Sequence, residues 1–168
     1  SPMTTQFWLV ALSNSLHLFA TILWIGWSVL LPIVVAPRVL EAMRGDGSWA
    51  TTLLKRGTPL AYGALAVLGA TGMLQMGANS EYEGMFVVSN AWSVFLLIKH
   101  LLIVGSVVAI LLIGQWVLPG LRLAVRRAAV GQSHQSDVFA ARFRGLAWLN
   151  AALGVGVLLM TGFMTAIP

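Results

Sequence analysis

Residues 7–35 read FWLVALSNSLHLFATILWIGWSVLLPIVV and contain no Asp, Glu, Lys or Arg. A helix needs about 20 mostly apolar residues to cross a bilayer, so this stretch predicts a membrane span with length to spare for tilt. Three more stretches meet the same criterion: residues 58–77, 92–118 and 145–167. We expect the Pro119-Gly120 pair to end the third span. Backbone groups in lipid must satisfy one another, and no alternating pattern favours a barrel. The sequence therefore predicts an all-α fold, an integral membrane four-helix up-down bundle.

The composition supports this fold class. The chain has 168 residues, of which 58% are hydrophobic and 9% are charged. Soluble domains carry about 25% charged residues, so the composition indicates a membrane protein, and the length predicts one transmembrane domain over residues 1–168. The chain has no cysteine, which excludes disulfides, thiolate–metal sites, cysteine-bound iron–sulfur clusters and covalently attached c-type haem.

The charged residues predict the orientation. Apart from one lysine, all basic residues lie in two loops, between the first and second spans and between the third and fourth: Arg38, Arg44, Lys55, Arg56, Arg122, Arg126, Arg127, Arg142 and Arg144. The middle loop carries Glu81 and Glu83 but no Lys or Arg. The positive-inside rule therefore predicts cytoplasmic basic loops, with the middle loop and both termini outside. The basic residues that give the chain its net charge of +5 are thus explained by their role in orienting the protein in the membrane. We therefore expect a lipid bilayer as partner and no nucleic acid.

Two histidines stand inside apolar spans. His17 follows Trp8 by nine residues, and His100 follows Trp92 by eight. If both tryptophans mark the outer interface, a rise of 1.5 Å per residue places the imidazoles roughly 13 and 12 Å below it. The first and third helices face each other across an up-down bundle, so matched depth predicts a shared ligand, a metal or haem iron. The alternative is that each histidine hydrogen-bonds across helices. His134 lies in a polar loop, where we expect it to be solvated.

Other polar residues extend this candidate site. Asn14 and Trp24 are three and seven residues from His17, on the same helix face. Lys99 is the only basic residue within a span, and its side chain diverges by about 100° from that of His100. One of the two therefore faces the core more directly. We expect Lys99 to bind a haem propionate or to handle protons or substrate; the alternative is a structural lysine bonded to a backbone carbonyl.

Methionines supply a second candidate site. Six of the seven lie in the outer half of the bundle or outside it: Met3, Met73, Met76, Met85, Met160 and Met164. Thioethers favour Cu(I), and Met73 with Met76 and Met160 with Met164 each share a helix face. These four residues are the alternative copper ligands, although apolar filling is the more ordinary role of methionine.

The run His17-Leu-Phe-Ala-Thr-Ile-Leu-Trp24-Ile-Gly26 resembles the first-helix signature of a broad family of small bacterial membrane proteins. That family includes the copper-resistance protein D (CopD) domain and the HemJ-type protoporphyrinogen oxidases. The resemblance continues at Arg56-Gly57-Thr58-Pro59 in the second span, Lys99 in the third, and Arg144 and Asn150 in the fourth.

This resemblance implies a four- or five-helix bundle in the bacterial inner membrane. The HemJ-type branch implies haem b, with His17 and Lys99 essential, whereas the CopD branch implies copper uptake. His100 beside Lys99 and Ala151 after Asn150 depart from the HemJ pattern. These departures bear on the oxidase activity more than on haem binding.

The leading hypothesis is a haem-b-binding membrane redox protein, either an electron-transfer protein or an oxidoreductase. His17 and His100 would be the axial ligands, with four further residues around the cofactor: Asn14, Trp24, Lys99 and Asn150. Two imidazoles suit electron transfer, whereas a single one leaves an iron position open for catalysis. Candidate partners are a quinone, a porphyrinogen, another redox protein and a second copy of the chain. The alternatives are a CopD-like copper protein and a structural subunit of a membrane complex, packed through the glycine-rich second and fourth spans.

Overall fold

The computed structural model describes residues 5–44, 49–78, 84, 88–131 and 135–167. Over these residues the chain is all-α and contains no strand. Four helices are long and apolar enough to cross a membrane, as expected of a multi-pass membrane protein: Phe7–Arg44, Thr52–Gly77, Ala91–Ala129 and Ser136–Ala166. Some residues with sequence-based predictions lie outside the described residues: Met3, Glu81, Glu83, Met85 and His134.

The first span begins as α1 (Thr5–Leu30) and continues through a π turn (Leu31–Val35) and a short 3-10 turn (Ala36–Arg38) into α2 (Val39–Arg44). The second span is α3 (Trp49–Gly77). It begins about two turns before the predicted start at residue 58. Hydropathy detects only the apolar part of a span, so it missed the helical turns that carry Lys55 and Arg56.

The third span repeats the pattern of the first. It begins as α4 (Ala91–Leu112), passes a π turn (Ile113–Val117) and continues as α5 (Leu118–Ala129). The prediction that Pro119-Gly120 ends this span is therefore wrong. Pro119 stands in the first turn of α5, directly after the π turn, and the helix continues through it to Ala129.

The fourth span is α6 (Ser136–Ala166), which begins before the predicted start at residue 145. Helices α1 and α3 form one antiparallel hairpin, α4 and α6 form a second, and α1 packs on α6 to join them. The first and third spans thus lie diagonally across the bundle. We call the end where α1 begins and α6 ends the termini end, and the opposite end, with α2 and α5, the basic end.

Close approaches at glycines set the register of these helices. The Trp27 ring covers Gly57 in the first hairpin, and Leu102 packs over Gly156 in the second. Helices α3 and α4 do not pack along their lengths. They approach near the basic end, where the Tyr62 hydroxyl lies 3.2 Å from the position that a Cβ of residue 114 would occupy. The bundle is therefore more open between α3 and α4 toward the termini end.

The core has two parts. In the basic half, the buried cluster consists entirely of apolar residues, among them Trp27, Val35, Leu121 and Phe143. Toward the termini end a smaller cluster surrounds Trp24. Most buried polar side chains lie at and beyond this second cluster, Ser136 at the start of α6 being the exception, so the candidate site is placed in the termini half.

Candidate functional site

His17 lies on the inward face of α1, half-buried, and is held by α3. Its Nδ1 is 2.8 Å from the Thr71 hydroxyl, and that hydroxyl donates its proton to the Val67 carbonyl at 2.6 Å. When the single proton of the Thr71 hydroxyl goes to that carbonyl, Thr71 accepts a hydrogen bond from a protonated Nδ1. The lone pair of the neutral imidazole is then on Nε2, the nitrogen that is left for a ligand.

Thr71 is a site residue that sequence reasoning missed. It is 6% exposed, and it faces His17 because α1 and α3 run antiparallel with a register set by Trp27 and Gly57. A threonine that bonds a helical carbonyl four residues back is common in a span. The sequence therefore contained no signal that distinguished this residue until the register was known.

His100 has the same ring chemistry. Its Nδ1 lies 2.7 Å from the Leu96 carbonyl oxygen, which can only accept, so Nδ1 carries the proton and Nε2 is again unprotonated in the neutral ring. Gly114 lies fourteen residues after His100 on about the same face of the third span, and it meets Tyr62 of α3. His100 therefore lies on the side of α4 that turns toward the second span.

Lys99, and not His100, is the counterpart of His17 in the second hairpin. His17 stands fourteen residues before the first π turn, and Lys99 stands fourteen residues before the second. The half-buried Lys99 shares a face with Leu102 and Ser106, both of which contact α6. Its ammonium is within electrostatic range of His17, and the described residues give it no hydrogen bond or ion pair.

The two histidines are not level. Ile25 of α1 meets α6 at Gly154, and Leu102 of α4 meets it at Gly156. These contacts fix the levels of α1 and α4 against the same helix, α6. Counting from them along α1 and α4 at 1.5 Å per residue places His17 about 6 Å nearer the termini end than His100. The two histidines were expected at equal depth, but their depths differ by about one helical turn. The reason is that Trp8 and Trp92 do not lie at the same level along the bundle.

Asn14 lies one turn from His17, nearer the termini end. Its Oδ1 accepts a hydrogen bond from Gln75 Nε2 at 3.0 Å. The pair borders a cleft of about 650 Å³ between α1 and α3, which Ser13 also lines. The Ser13 hydroxyl is buried and has no hydrogen-bond partner among the described residues. The cleft therefore places polar side chains around an open volume one helical turn from His17.

Trp24 and Asn150 lie deeper. Trp24 is 2% exposed and Asn150 is fully buried. Asn150 Oδ1 accepts a hydrogen bond from Ser106 Oγ, which joins α6 to α4. Neither Trp24 Nε1 nor Asn150 Nδ2 has an acceptor in the described part of the chain. Trp24 thus lies in the interior, nearer the basic end than His17. Asn150 and Ser106 lie about one turn farther toward the basic end than Trp24.

The four methionines of the copper alternative are not gathered into one site. Met73 is 68% exposed, and Met76 is half-buried on α3, as are Met160 and Met164 on α6. Helices α3 and α6 do not pack along their lengths. Among the described residues, no group of three or more His, Asp or Glu side chains could hold a metal ion.

Comparison with family models, with characterised proteins and with solved structures finds no match to this chain. The resemblance to the CopD and HemJ-type proteins therefore stays a prediction, and the site is argued from its own geometry.

Proposed function

We propose that this protein binds haem b within the membrane and functions in electron transfer or as a membrane oxidoreductase, with His17 and His100 as candidate axial ligands. The observation that carries the proposal is the state of the two rings. Each has Nδ1 within hydrogen-bond distance of an oxygen, Thr71 Oγ1 and the Leu96 carbonyl respectively. Metal-ligating histidines typically donate the other ring N–H in this way, which fixes the tautomer and the ring orientation.

The ligand count supports haem over a bare ion. Structural and catalytic zinc sites need three or four protein ligands, and the described residues offer no such group. Haem brings its own equatorial nitrogens, so the protein needs to supply only one or two axial ligands. Two separated imidazoles in an apolar bundle therefore fit haem better than they fit an isolated metal ion.

Lys99 fits the same ligand. Its ammonium is half-buried, lacks a carboxylate partner among the described residues, and acts electrostatically on the region around His17. A buried cation is stabilised by an anionic group, and the haem propionates are anionic. Lys99 would position the macrocycle through one propionate while the open side between α3 and α4 admits it from the lipid.

When bound, the haem iron would supply one-electron redox chemistry. Thr71 would hold the His17 ring in one orientation, and the Leu96 carbonyl would do so for His100. The apolar cluster of the basic half would exclude water beneath the site. Ligation by both rings suits electron transfer, and ligation by His17 alone leaves an iron position for a substrate. A quinone, a porphyrinogen and another redox protein are the partners that such chemistry admits.

The orientation is also a proposal. The two basic loops support a bacterial inner-membrane protein with both termini outside. The copper alternative receives no support from the placement of the methionines. The structural-subunit alternative and the homodimer stay predictions.

The test is an absorption spectrum of the protein, purified from cells supplied with haem precursor, before and after dithionite. We expect a Soret band and, on reduction, a sharp α band. His17→Ala should lose the haem, and His100→Ala should lose it or change the iron from low spin to high spin. His134→Ala is the matched control, because this histidine lies outside the predicted spans, and its spectrum should equal that of the wild type.

Two results would contradict the proposal. One is a colourless wild-type protein that also fails to bind haem added to it in detergent. The other is a haem spectrum that survives both His17→Ala and His100→Ala unchanged, because the iron would then be held by other groups.

A further inference from the structure

The centre of the bundle contains a layer of polar side chains, away from either end. Asn150 and Ser106 are fully buried and Ser28 is 1% exposed. Asn150 Oδ1 accepts from Ser106, and Ser28 lies against the same face of α6, beside Gly154. The Asn150 amide nitrogen has no acceptor among the described residues. A buried amide N–H without a partner is costly in lipid, and a water molecule would relieve this cost by accepting from it.

A second donor without a partner lies one turn nearer the termini end. The Trp24 indole N–H can only donate, and the described residues offer it no acceptor. Trp24 and Ser28 are joined by the hydrogen bond from Ser28 Oγ to the Trp24 carbonyl, at 2.9 Å. Two donors at neighbouring levels require acceptor oxygens at both. Water molecules can meet this need, since each accepts from one group and donates onward to another.

The polar groups continue toward the termini end. Above Trp24 come Lys99, then His17 with Thr71, and then the buried Ser13 hydroxyl at the wall of the cleft of about 650 Å³. Ser13 and Ser28 are fifteen residues apart on one helix, so the column is about 22 Å long. It begins at an open cleft and ends at the polar layer of Asn150.

Below Asn150 the column stops. The residues directly below Asn150 are apolar: Trp27 covers Gly57, and Phe143 and Ala147 are fully buried on the same face of α6 as Asn150. A narrow apolar constriction does not hold water. Among the described residues, the polar column therefore opens toward the termini end and is closed by apolar side chains below Asn150.

We propose that these side chains line a water path that enters through the cleft between α1 and α3, passes Lys99 and Trp24, and ends at Asn150. Water in this path would carry protons between the termini side and the middle of the membrane, and the apolar basic half would prevent their passage across. The path rests on the buried donors and the cleft, so it holds whether or not the chain binds haem.

The test uses the absence of cysteine from the chain. Single substitutions Ser106→Cys and Ser28→Cys place a thiol in the path, and Ala147→Cys places one at equal burial one turn beyond Asn150. A charged, membrane-impermeant thiosulfonate reacts with the thiolate, which forms only where water reaches the thiol. We expect Ser106→Cys and Ser28→Cys to react at least about tenfold faster than Ala147→Cys.

Sidedness completes the test. Ala78→Cys and Val130→Cys, exposed at the termini end and the basic end, report which side the reagent reaches in sealed vesicles. Ser106→Cys should react from the side on which Ala78→Cys reacts. The proposal is overturned if the path thiols react as slowly as Ala147→Cys, if they react from the Val130 side, or if only a lipid-soluble maleimide labels them. Ser28→Cys decides the outcome should Ser106→Cys fail to fold.

Discussion

Gly57→Ala is the substitution whose cost the structure defines most clearly. A Cβ at residue 57 would stand 2.6 Å from Trp27 Cε3 and closer still to Cζ3 and Cη2. These distances are much shorter than a normal van der Waals contact between two carbon atoms. Trp27 is 7% exposed and packs within the apolar cluster of the basic half. The added methyl must therefore displace either the buried ring or one of the two helices.

Overpacking of this kind costs about 1–3 kcal/mol. For a chain of this size each kcal/mol corresponds to about 2–4 °C in Tm, so we expect Gly57→Ala to melt roughly 2–12 °C below the wild type. Circular dichroism during heating in one detergent measures the difference. Gly63→Ala is the matched control on the same helix, because no heavy atom lies within 4 Å of its Cβ position. It should melt within about 2 °C of the wild type, since a small surface change costs little.

A double-mutant cycle isolates the contact. In a Trp27→Leu background the smaller side chain leaves room for the methyl, so Gly57→Ala should cost much less than it does beside tryptophan. The reasoning fails if Gly57→Ala melts with the wild type, or if its cost is the same with leucine and with tryptophan at position 27. The register of α1 on α3, which brings His17 to Thr71, would then be wrong as well.

Three further predictions test the site and its frame. Thr71→Val removes the hydroxyl beside His17 Nδ1 at nearly constant volume, and it should weaken haem binding by about 10–100-fold. Titration of haem into the haem-free protein measures the affinity. Thr161→Val is the control, because the Thr161 hydroxyl bonds a carbonyl of its own helix. Lys99→Met should lower the haem midpoint potential relative to Lys99→Arg, because a nearby cation favours the less positive ferrous state; an unchanged potential in a redox titration would place Lys99 away from the cofactor. The Asn14–Gln75 hydrogen bond should show a coupling of about 0.6 kcal/mol in a leucine double-mutant cycle, the average for such bonds in membrane bundles, and strict additivity would argue against the bond.

The histidines illustrate how far the sequence could be taken. Their presence in apolar spans was visible directly, and it identified the part of the chain in which to look for a site. Their depth was estimated from Trp8 and Trp92, and the contacts of Ile25 and Leu102 with α6 shift His100 by about one turn. A depth estimated from interfacial residues assumes that both helices start at the same level, and local sequence contains no information about that.

Residue Lys99 shows a second limit of prediction from sequence, which concerns the direction of a side chain on its helix. The sequence left open whether Lys99 or His100 faces the core, since adjacent residues on a helix diverge by about 100°. In the structure both side chains are half-buried, and the face of Lys99 turns toward α6, which Leu102 and Ser106 of the same face contact. Which neighbour a helix face meets depends on how the helices pack, so this placement could not be predicted from hydropathy.

The number of spans, the all-α class and the absence of thiol chemistry were readable from the amino acids alone. Each depends on a property summed over about 20 residues or on simple presence and absence, and in lipid the backbone has few ways to satisfy its hydrogen bonds. The partners of the polar residues, such as Thr71 for His17, Gln75 for Asn14 and Ser106 for Asn150, became known only in the folded bundle. Helix register is set by interlocking side chains far apart in the chain, such as Trp27 with Gly57, and a shift of one residue turns each side chain by about 100° and away from its partner.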